Sequence, residues 1–322
     1  MNDLVVSHSR IKTWRACQRM HYYKYVERLV PRKKESPLFI GSAVHKFIEA
    51  YHERGSWKPE LKEVSKEYDK LFSEEKELLG DIPAMCDALA TNYFRTYRDD
   101  GLVYTQYDGK STEIEVRAEL APGIEFLGYV DALPTDATGR TWVMDHKTCK
   151  AIPEEDARSF DVQLITYCWL VPASGIAKPR GVIWDYIRTK VPVEPKVLQD
   201  GSLSQAKNQD TTYEVYLDAI RKRKLDPNDY RGMLQYLQNK NDKFFHRVWL
   251  PKPSKVMMKN LITDLKSSAK QIHRYGEKRK TRSMGRQCTW CSYKTLCLTE
   301  FRGLDAEHLR KFDYTVKEKN DD

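Results

Sequence analysis

The pattern that most constrains the fold lies between residues 112 and 188. Three stretches rich in β-branched and aromatic residues alternate apolar and polar side chains. They predict consecutive strands over Thr112–Leu120, Ile124–Leu133 and Arg140–Thr148. A helix is predicted from about Glu154 to Val171, followed by a strongly apolar strand over Gly181–Arg188. Three strands, a helix and a further strand predict an α/β fold built on a mixed sheet with a crossover.

The chain divides into four predicted regions. Residues 1–101 are expected to be helical, residues 102–189 to form the α/β core, residues 190–253 an insertion beside it, and residues 254–322 a C-terminal helix with cysteines and a tail. Within the first region, helices are predicted from Ser7 or Ser9 to about Arg28, and over about 42–54, 59–79 and 83–98. The tail after Leu309 has too little apolar content to fold by itself.

Composition narrows the class of protein. The net charge of +9 suits an anionic polymer as partner. No apolar run approaches the ~20 residues that span a bilayer, so no membrane partner is expected. The first ten residues lack the order of a secretory signal, so we expect a cytoplasmic protein. In that compartment the seven cysteines are expected to be metal ligands, catalysts or core residues rather than disulfides.

An acid and a lysine share one face of the third predicted strand. Asp145 and Lys147 are two residues apart, and side chains at that spacing point to the same side of a strand. Asp131 ends the preceding strand, so both carboxylates can reach one divalent cation if the strands form a hairpin. The lysine can position a water molecule or neutralise an attacked phosphate. The alternative is an ordinary surface ion pair.

Further residues follow in a recognisable order around this pair. His45 lies upstream on a helix after Gly41, and Gln163 and Tyr167 share a face of the crossover helix. This order resembles the RecB-like branch of the PD-(D/E)xK nucleases, such as the exonucleases of CRISPR adaptation and the nuclease domains of recombination helicases. The resemblance implies a restriction-endonuclease-like fold.

The resemblance also implies roles for single residues. It implies Mg²⁺ or Mn²⁺ ligands at His45, Asp131, Asp145 and the backbone carbonyl of His146, a catalytic Lys147, and a Q-x-x-x-Y motif at Gln163 and Tyr167 that shapes the active site. One departure is Ala132–Leu133, where many relatives carry charged residues, so DNA contacts are in doubt at that turn.

Three cysteines are closely spaced near the C-terminus. Cys288, Cys291 and Cys297 give C-x2-C-x5-C, a spacing typical of metal or iron–sulfur ligands. Zinc and a [4Fe–4S] cluster compete for such a site, and zinc sites typically pair two C-x2-C motifs where this chain has one. The same family resemblance implies a [4Fe–4S] cluster with Cys17 as fourth ligand. Cys86 and Cys168 are expected to be buried, and Cys149 stays unassigned.

Basic and aromatic residues precede and surround these cysteines. The predicted DNA contacts are Lys278, Arg279, Lys280, Arg282, Arg286, Trp290 and Tyr293. Charge for phosphates beside rings for unpaired bases favours single-stranded or frayed DNA. A solvated basic face with packing aromatics is the alternative. The chain has no phosphate-binding G-x-x-x-x-G-K-[ST] motif, so any helicase that works with it would be a separate polypeptide.

These patterns together predict a Mg²⁺- or Mn²⁺-dependent deoxyribonuclease, an exonuclease of recombination, repair or DNA processing. One alternative is a DNA-binding recombination or adaptation factor with an architectural cluster and incidental hydrolysis. A zinc-binding regulator is another, if Cys17 is not a ligand.

Overall fold

A computed structural model describes residues 4–32, 36–159, 161–239 and 243–317. The helices are α1 His8–Ala16, α2 Gln18–His21, α3 Ser36–Arg54, α4 Lys58–Asp69, α5 Ser73–Leu79, α6 Ile82–Thr96, α7 Glu155–Ser159, α8 Gln163–Ala173, α9 Tyr213–Lys222, α10 Arg231–Asn239, α11 Lys255–Tyr275, α12 Lys294–Phe301 and α13 Glu307–Asp313. The strands are β1 Leu4–Val6, β2 Leu29–Pro31, β3 Val103–Tyr104, β4 Thr112–Ala121, β5 Ile124–Ala132, β6 Pro134–Thr135, β7 Val143–Cys149, β8 Gly181–Arg188, β9 Phe245–Pro251 and β10 Tyr314–Val316.

A six-stranded mixed sheet forms the centre of the fold. Strand β5 pairs antiparallel with β4 along one edge, and along its other edge it contacts β1 and then β7. The helical crossover returns β8 parallel to β7, and β9 adds an antiparallel edge. The predicted mixed α/β fold is therefore confirmed. Asp131 of β5 and Asp145 of β7 lie on neighbouring strands of this sheet, so their side chains come close together.

Helices cover both faces of the sheet, because the central strand β8 places apolar side chains on both. On one face, Leu164 and Leu170 of α8 and Leu265 of α11 pack in the largest core. On the other face, helices α3 and α6 contribute Phe47 and Tyr93 to a second core. Burial from two sides is expected for strands as apolar as β8.

The N-terminal region is less uniformly helical than the sequence predicted. Strand β1 joins the central sheet, and β2 pairs with β10 in a separate two-stranded sheet. The first predicted helix breaks at Cys17, whose backbone is extended (φ −164°, ψ 118°), and it continues through α2 into a π-helical turn at Tyr22–Val26. The predicted helix at 59–79 divides into α4 and α5, and the one at 154–171 into α7 and α8. Helical periodicity continues across such breaks, which is why the sequence pattern missed them.

The insertion contains a small core of its own. Tyr216 of α9 packs with Met233 and Leu237 of α10 and with Leu203. Its last segment behaves differently, because β9 pairs with β8 over Gly181–Ile187 and completes the central sheet.

The C-terminal tail folds against the N-terminal region rather than alone. Strand β10 pairs antiparallel with β2, and Tyr314 stacks on Tyr293 at a ring distance of 5.6 Å. Glu300 of α12 accepts hydrogen bonds from Arg19, Tyr23 and Arg310. Among the helices that the structure describes, none is long and apolar enough to cross a membrane.

Candidate metal and DNA-cleavage site

Asp145 and Lys147 lie side by side on β7, as the two-residue spacing predicted. The ammonium nitrogen of Lys147 is 2.8 Å from Asp145 Oδ2 and donates to Gln163 Oε1 at 3.3 Å. Asp145 is only 3% exposed, and Lys147 is half-buried. The lysine is thus held between a carboxylate on its own strand and an amide from helix α8. An ammonium group held in a fixed position can neutralise the charge of a phosphate or orient a water nucleophile.

Three further side chains converge beside this pair. His45, Glu113 and Asp131 each offer a ligand atom, and those atoms lie within 4.8 Å of one another. The imidazole Nδ1 of His45 is 3.6 Å from Asp131 Oδ2 and 3.9 Å from Glu113 Oε1. Carboxylate oxygens and one imidazole nitrogen are donors that Mg²⁺ and Mn²⁺ accept. Among the described residues, this is the single such group.

Glu113 joins the site although no sequence pattern predicted it. It lies opposite Asp131 in the β4–β5 hairpin, between the registered pairs Thr112–Ala132 and Ile114–Val130. The Pro122–Gly123 turn pairs Ala121 with Ile124, and counting from it would place Glu113 opposite Ala132. A register shift between Glu119 and Ala121 brings Glu113 opposite Asp131 instead, and no local sequence pattern predicts that shift. Glu113 has a φ of +49°, a left-handed backbone that costs of order 1–3 kcal/mol for a side chain of this kind. That conformation places its carboxylate beside His45.

The backbone of His146 joins the same group. Its N–H donates to Asp131 Oδ2 at 2.6 Å, and its carbonyl oxygen lies 2.8 Å from His45 Nε2. The two ring nitrogens of His45 therefore face different partners, Nε2 the His146 carbonyl and Nδ1 the carboxylates of Asp131 and Glu113.

The electrostatics of the site reflect crowded negative charge. Burial, and after it the charge of Asp131, raises the pKa of Asp145 to about 6, although Lys147 opposes this. Burial alone would lower the pKa of His45, but the hydrogen bond to Glu113 and the charges of Asp131 and Asp145 raise it to about 9. Carboxylates packed this closely favour a divalent cation between them.

Gln163 and Tyr167 border the site from helix α8. Both face the strands, and Tyr167 is buried with its ring against β5. A Cβ on Gly128 would lie 2.5 Å from Tyr167 Cε1, so only glycine lets the ring approach this closely. Ala132 and Leu133, which follow Asp131, are fully buried and offer no surface to DNA.

Two residues of the site, His45 and Glu113, line an open cleft of about 800 Å³. Its walls also include Lys46, Lys150 and the half-buried Cys149. The positive charges of Lys46 and Lys150 can attract a polyanion to this cleft, beside the carboxylates of the site.

The four predicted cluster cysteines line one cavity of about 510 Å³. Cys17 comes from the break between α1 and α2, and Cys288, Cys291 and Cys297 come from the C-terminal segment. Burial raises the pKa of Cys291, and the three other thiols raise it further, which places all four near one another. No three of the four sulfur atoms meet within 4.8 Å, among the residues described. Cys86 and Cys168 are buried, as predicted.

The predicted DNA-contacting residues fall into two groups. Lys278, Lys280, Arg279, Arg286 and Trp290 are exposed, and the Trp290 ring is 64% accessible. Tyr293 is only 5% exposed and donates its hydroxyl to the Leu29 carbonyl at 2.7 Å, so its ring belongs to the core and offers bases no stacking surface. Arg282 pairs with Glu300 at 3.3 Å. Spacing alone could not separate surface aromatics from core ones.

Comparison with known proteins identifies the family of this chain. No curated protein matches the chain significantly. The solved structure titled "Crystal structure of SSO0001" aligns over 82% of this chain and 87% of that one, at 14% identity and a TM-score of 0.31. A likeness this distant adds nothing to the assignment. The model of the PD-(D/E)XK nuclease superfamily matches residues 5–298, nearly the whole chain. With that match and an acidic site at the expected strands, the chain belongs to the PD-(D/E)XK nuclease superfamily.

Proposed function

We propose that this protein is a Mg²⁺- or Mn²⁺-dependent deoxyribonuclease, an exonuclease that acts on single-stranded or frayed DNA ends in recombination, repair or DNA processing. Membership of a nuclease superfamily implies metal-dependent cleavage with DNA as substrate. The observation that carries the proposal is the meeting of His45, Glu113 and Asp131 next to the Asp145–Lys147 pair. His45 and Glu113 of this group line an open cleft.

Each residue has a distinct part in this proposal. His45, Glu113, Asp131, Asp145 and the His146 carbonyl would hold the cation. When bound, a divalent ion polarises the phosphate and activates water. Lys147 would place its charge at the attacked phosphate, held there by Asp145 and Gln163.

A RecB-like placement and a [4Fe–4S] cluster belong to the same proposal. Four thiols from two distant parts of the chain face one cavity. Zinc sites typically pair two C-x2-C motifs, whereas this chain has one, at Cys288 and Cys291, which favours an iron–sulfur cluster. Cys17, Cys288, Cys291 and Cys297 would be its ligands.

DNA would reach the cleft past the cysteine cavity. Lys278, Arg279, Lys280 and Arg286 would contact phosphates there, and the exposed Trp290 would stack on an unpaired base. A separate helicase or recombination protein would supply the frayed end.

The test is cleavage of end-labelled DNA by protein purified without oxygen. Single-stranded, frayed and blunt duplex substrates are incubated with Mn²⁺, with Mg²⁺ and with a chelator, and Asp145→Ala serves as the matched inactive variant. We expect metal-dependent release of short products from single-stranded and frayed ends, and none from Asp145→Ala, because that variant lacks one acid of the metal site.

Two results would overturn parts of the proposal. If a folded Asp145→Ala protein cleaved DNA as fast as the wild type, Asp145 would not belong to the catalytic site and the proposed site would be wrong. Cutting inside a circular single strand at the same rate as at free ends would replace exonuclease with endonuclease activity.

A further inference from the structure

A row of polar side chains runs behind the cleavage site, on the opposite face of the sheet. His146 of β7, Asp185 of β8 and Arg247 of β9 are direct neighbours in the strand registers. Their side chains are 2%, 0% and 7% exposed. Strand alternation explains the arrangement, because His146 must point to one face of the sheet when Asp145 and Lys147 point to the other.

The three side chains form a connected chain of contacts. His146 Nδ1 is 2.7 Å from Asp185 Oδ2, and Arg247 Nε is 3.3 Å from Asp185 Oδ1. Tyr93 also donates to Asp185. Since an ionised carboxylate can only accept, Nδ1 of His146 carries the proton, and the ring orientation is fixed.

Arg247 is in turn held from the helical side. It pairs with Asp100, and its guanidinium lies 3.6 Å from the centre of the Tyr97 ring. Burial alone would raise the pKa of Asp185, but the Arg247 charge and the hydrogen bonds from His146 and Tyr93 lower it to about 2. The Asp185 carboxylate is therefore charged, and it accepts hydrogen bonds from His146 and Tyr93 beside the Arg247 guanidinium.

Stability alone does not explain such a row. Replacing a buried ion pair by apolar side chains of similar size is often neutral or stabilising. What distinguishes this row is its position. The backbone of His146 donates to Asp131 and presents its carbonyl to His45, so one residue links the buried row to two residues of the metal site.

We propose that Asp185 and Arg247 are positioning residues of the cleavage site, which act through the His146 side chain to hold its peptide groups where the metal ligands require them. This inference rests on the proposed metal-dependent nuclease function. Groups that orient metal ligands typically contribute ~10–100-fold to metal affinity or activity.

The first test compares His146→Leu with His146→Gln in the full-length protein. Leucine removes the donor to Asp185, whereas the glutamine amide can still donate to it. Mn²⁺ affinity is measured by electron paramagnetic resonance, and kcat and KM are measured on end-labelled DNA. We expect His146→Leu to lower Mn²⁺ affinity and kcat by about tenfold or more with KM for DNA unchanged, and His146→Gln to recover most of both.

Arg247→Lys provides a second route if His146→Leu does not fold. Lysine keeps the charge but lacks the planar fork that contacts both Asp185 and Asp100, so we expect the same loss of kcat and Mn²⁺ affinity in a smaller degree. Tyr230→Phe is the control, because it removes a buried hydroxyl that accepts from Leu203 N–H within the insertion. It should lower the melting temperature without changing kcat.

The outcomes separate this inference from the proposed function. If the wild-type protein cleaves DNA, and the folded His146→Leu or Arg247→Lys protein keeps kcat and Mn²⁺ affinity within about twofold of it, the positioning role is wrong while the nuclease stands. Failure of His146→Gln to recover more activity than His146→Leu would also overturn it. A wild-type protein that neither binds Mn²⁺ nor cleaves DNA would overturn the proposed function, and the inference with it.

Discussion

Asp145 and Lys147 touch each other, yet their replacement should affect different steps. Lys147→Ala removes the charge at the attacked phosphate and leaves every oxygen and nitrogen ligand in place. We expect kcat to fall by about 10²–10³-fold, the usual cost of one preorganised charged or polar donor, with Mn²⁺ affinity nearly unchanged. Calorimetric titration with Mn²⁺ beside cleavage kinetics measures both. Loss of Mn²⁺ binding as complete as in Asp145→Ala would give Lys147 a structural role instead.

Glu113 is the residue whose role the tertiary structure adds. Glu113→Gln keeps the size of the side chain but removes its charge beside His45, so we expect Mn²⁺ affinity to fall by about tenfold. Glu115→Gln is the matched control on the same strand, because Glu115 pairs with Arg117 and Tyr129 outside the metal site. Mn²⁺ titration of the two variants should separate them. Equal affinities would mean that Glu113 is no ligand.

At the scale of elements, the contact of strand β5 with helix α8 sets the position of Tyr167. In Gly128→Ala the new Cβ would meet Tyr167 at 2.5 Å and Leu170 at 2.9 Å. Such overpacking costs about 1–3 kcal/mol and should push α8, with Gln163, away from Lys147. We expect a lower melting temperature together with reduced kcat. Gly232→Ala is the control, because a Cβ there meets nothing within 4 Å, and it should stabilise α10 slightly.

The exposed basic segment, residues 278–290, should carry the electrostatic part of DNA binding. The double variant Lys278→Glu and Lys280→Glu removes two charges that make no ion pair within the described structure. We expect weaker binding of single-stranded DNA and a salt dependence that is shallower by ~0.7 per lost phosphate contact. Titrations at several salt concentrations measure the slope. Lys66→Glu, on helix α4, should leave it unchanged, and an unaltered slope in the double variant would place the DNA elsewhere.

At the scale of the whole molecule, the two ends of the chain are joined by more than the cysteines. Strand β10 pairs with β2, Tyr293 bonds to Leu29, and Glu300 accepts from Arg19. Cys17→Ser should therefore stay folded, yet lose the brown colour, iron and sulfide of a [4Fe–4S] centre, because one of four thiolates is gone. Elemental analysis and absorption spectra measure this. Cys86→Ser, a buried cysteine outside the cavity, should keep the colour. Zinc without sulfide in the wild type would contradict the cluster.

The sequence by itself determined the elements whose pattern is local. Alternation located β4, β5 and β8 to within a residue or two, and two-residue spacing placed Asp145 beside Lys147. Both follow from backbone geometry, since neighbouring side chains on a strand must point to opposite faces. Burial of Cys86 and Cys168 followed from their apolar surroundings.

Only the tertiary structure decided which distant side chains meet. Glu113 reaches His45 through strand pairing and a left-handed backbone, and Tyr293 is buried because β2 and β10 close over it. The row of His146, Asp185 and Arg247 exists only once three strands lie in register. These contacts join residues far apart in the chain, and their energies depend on burial and pairing, which no local pattern of the sequence records.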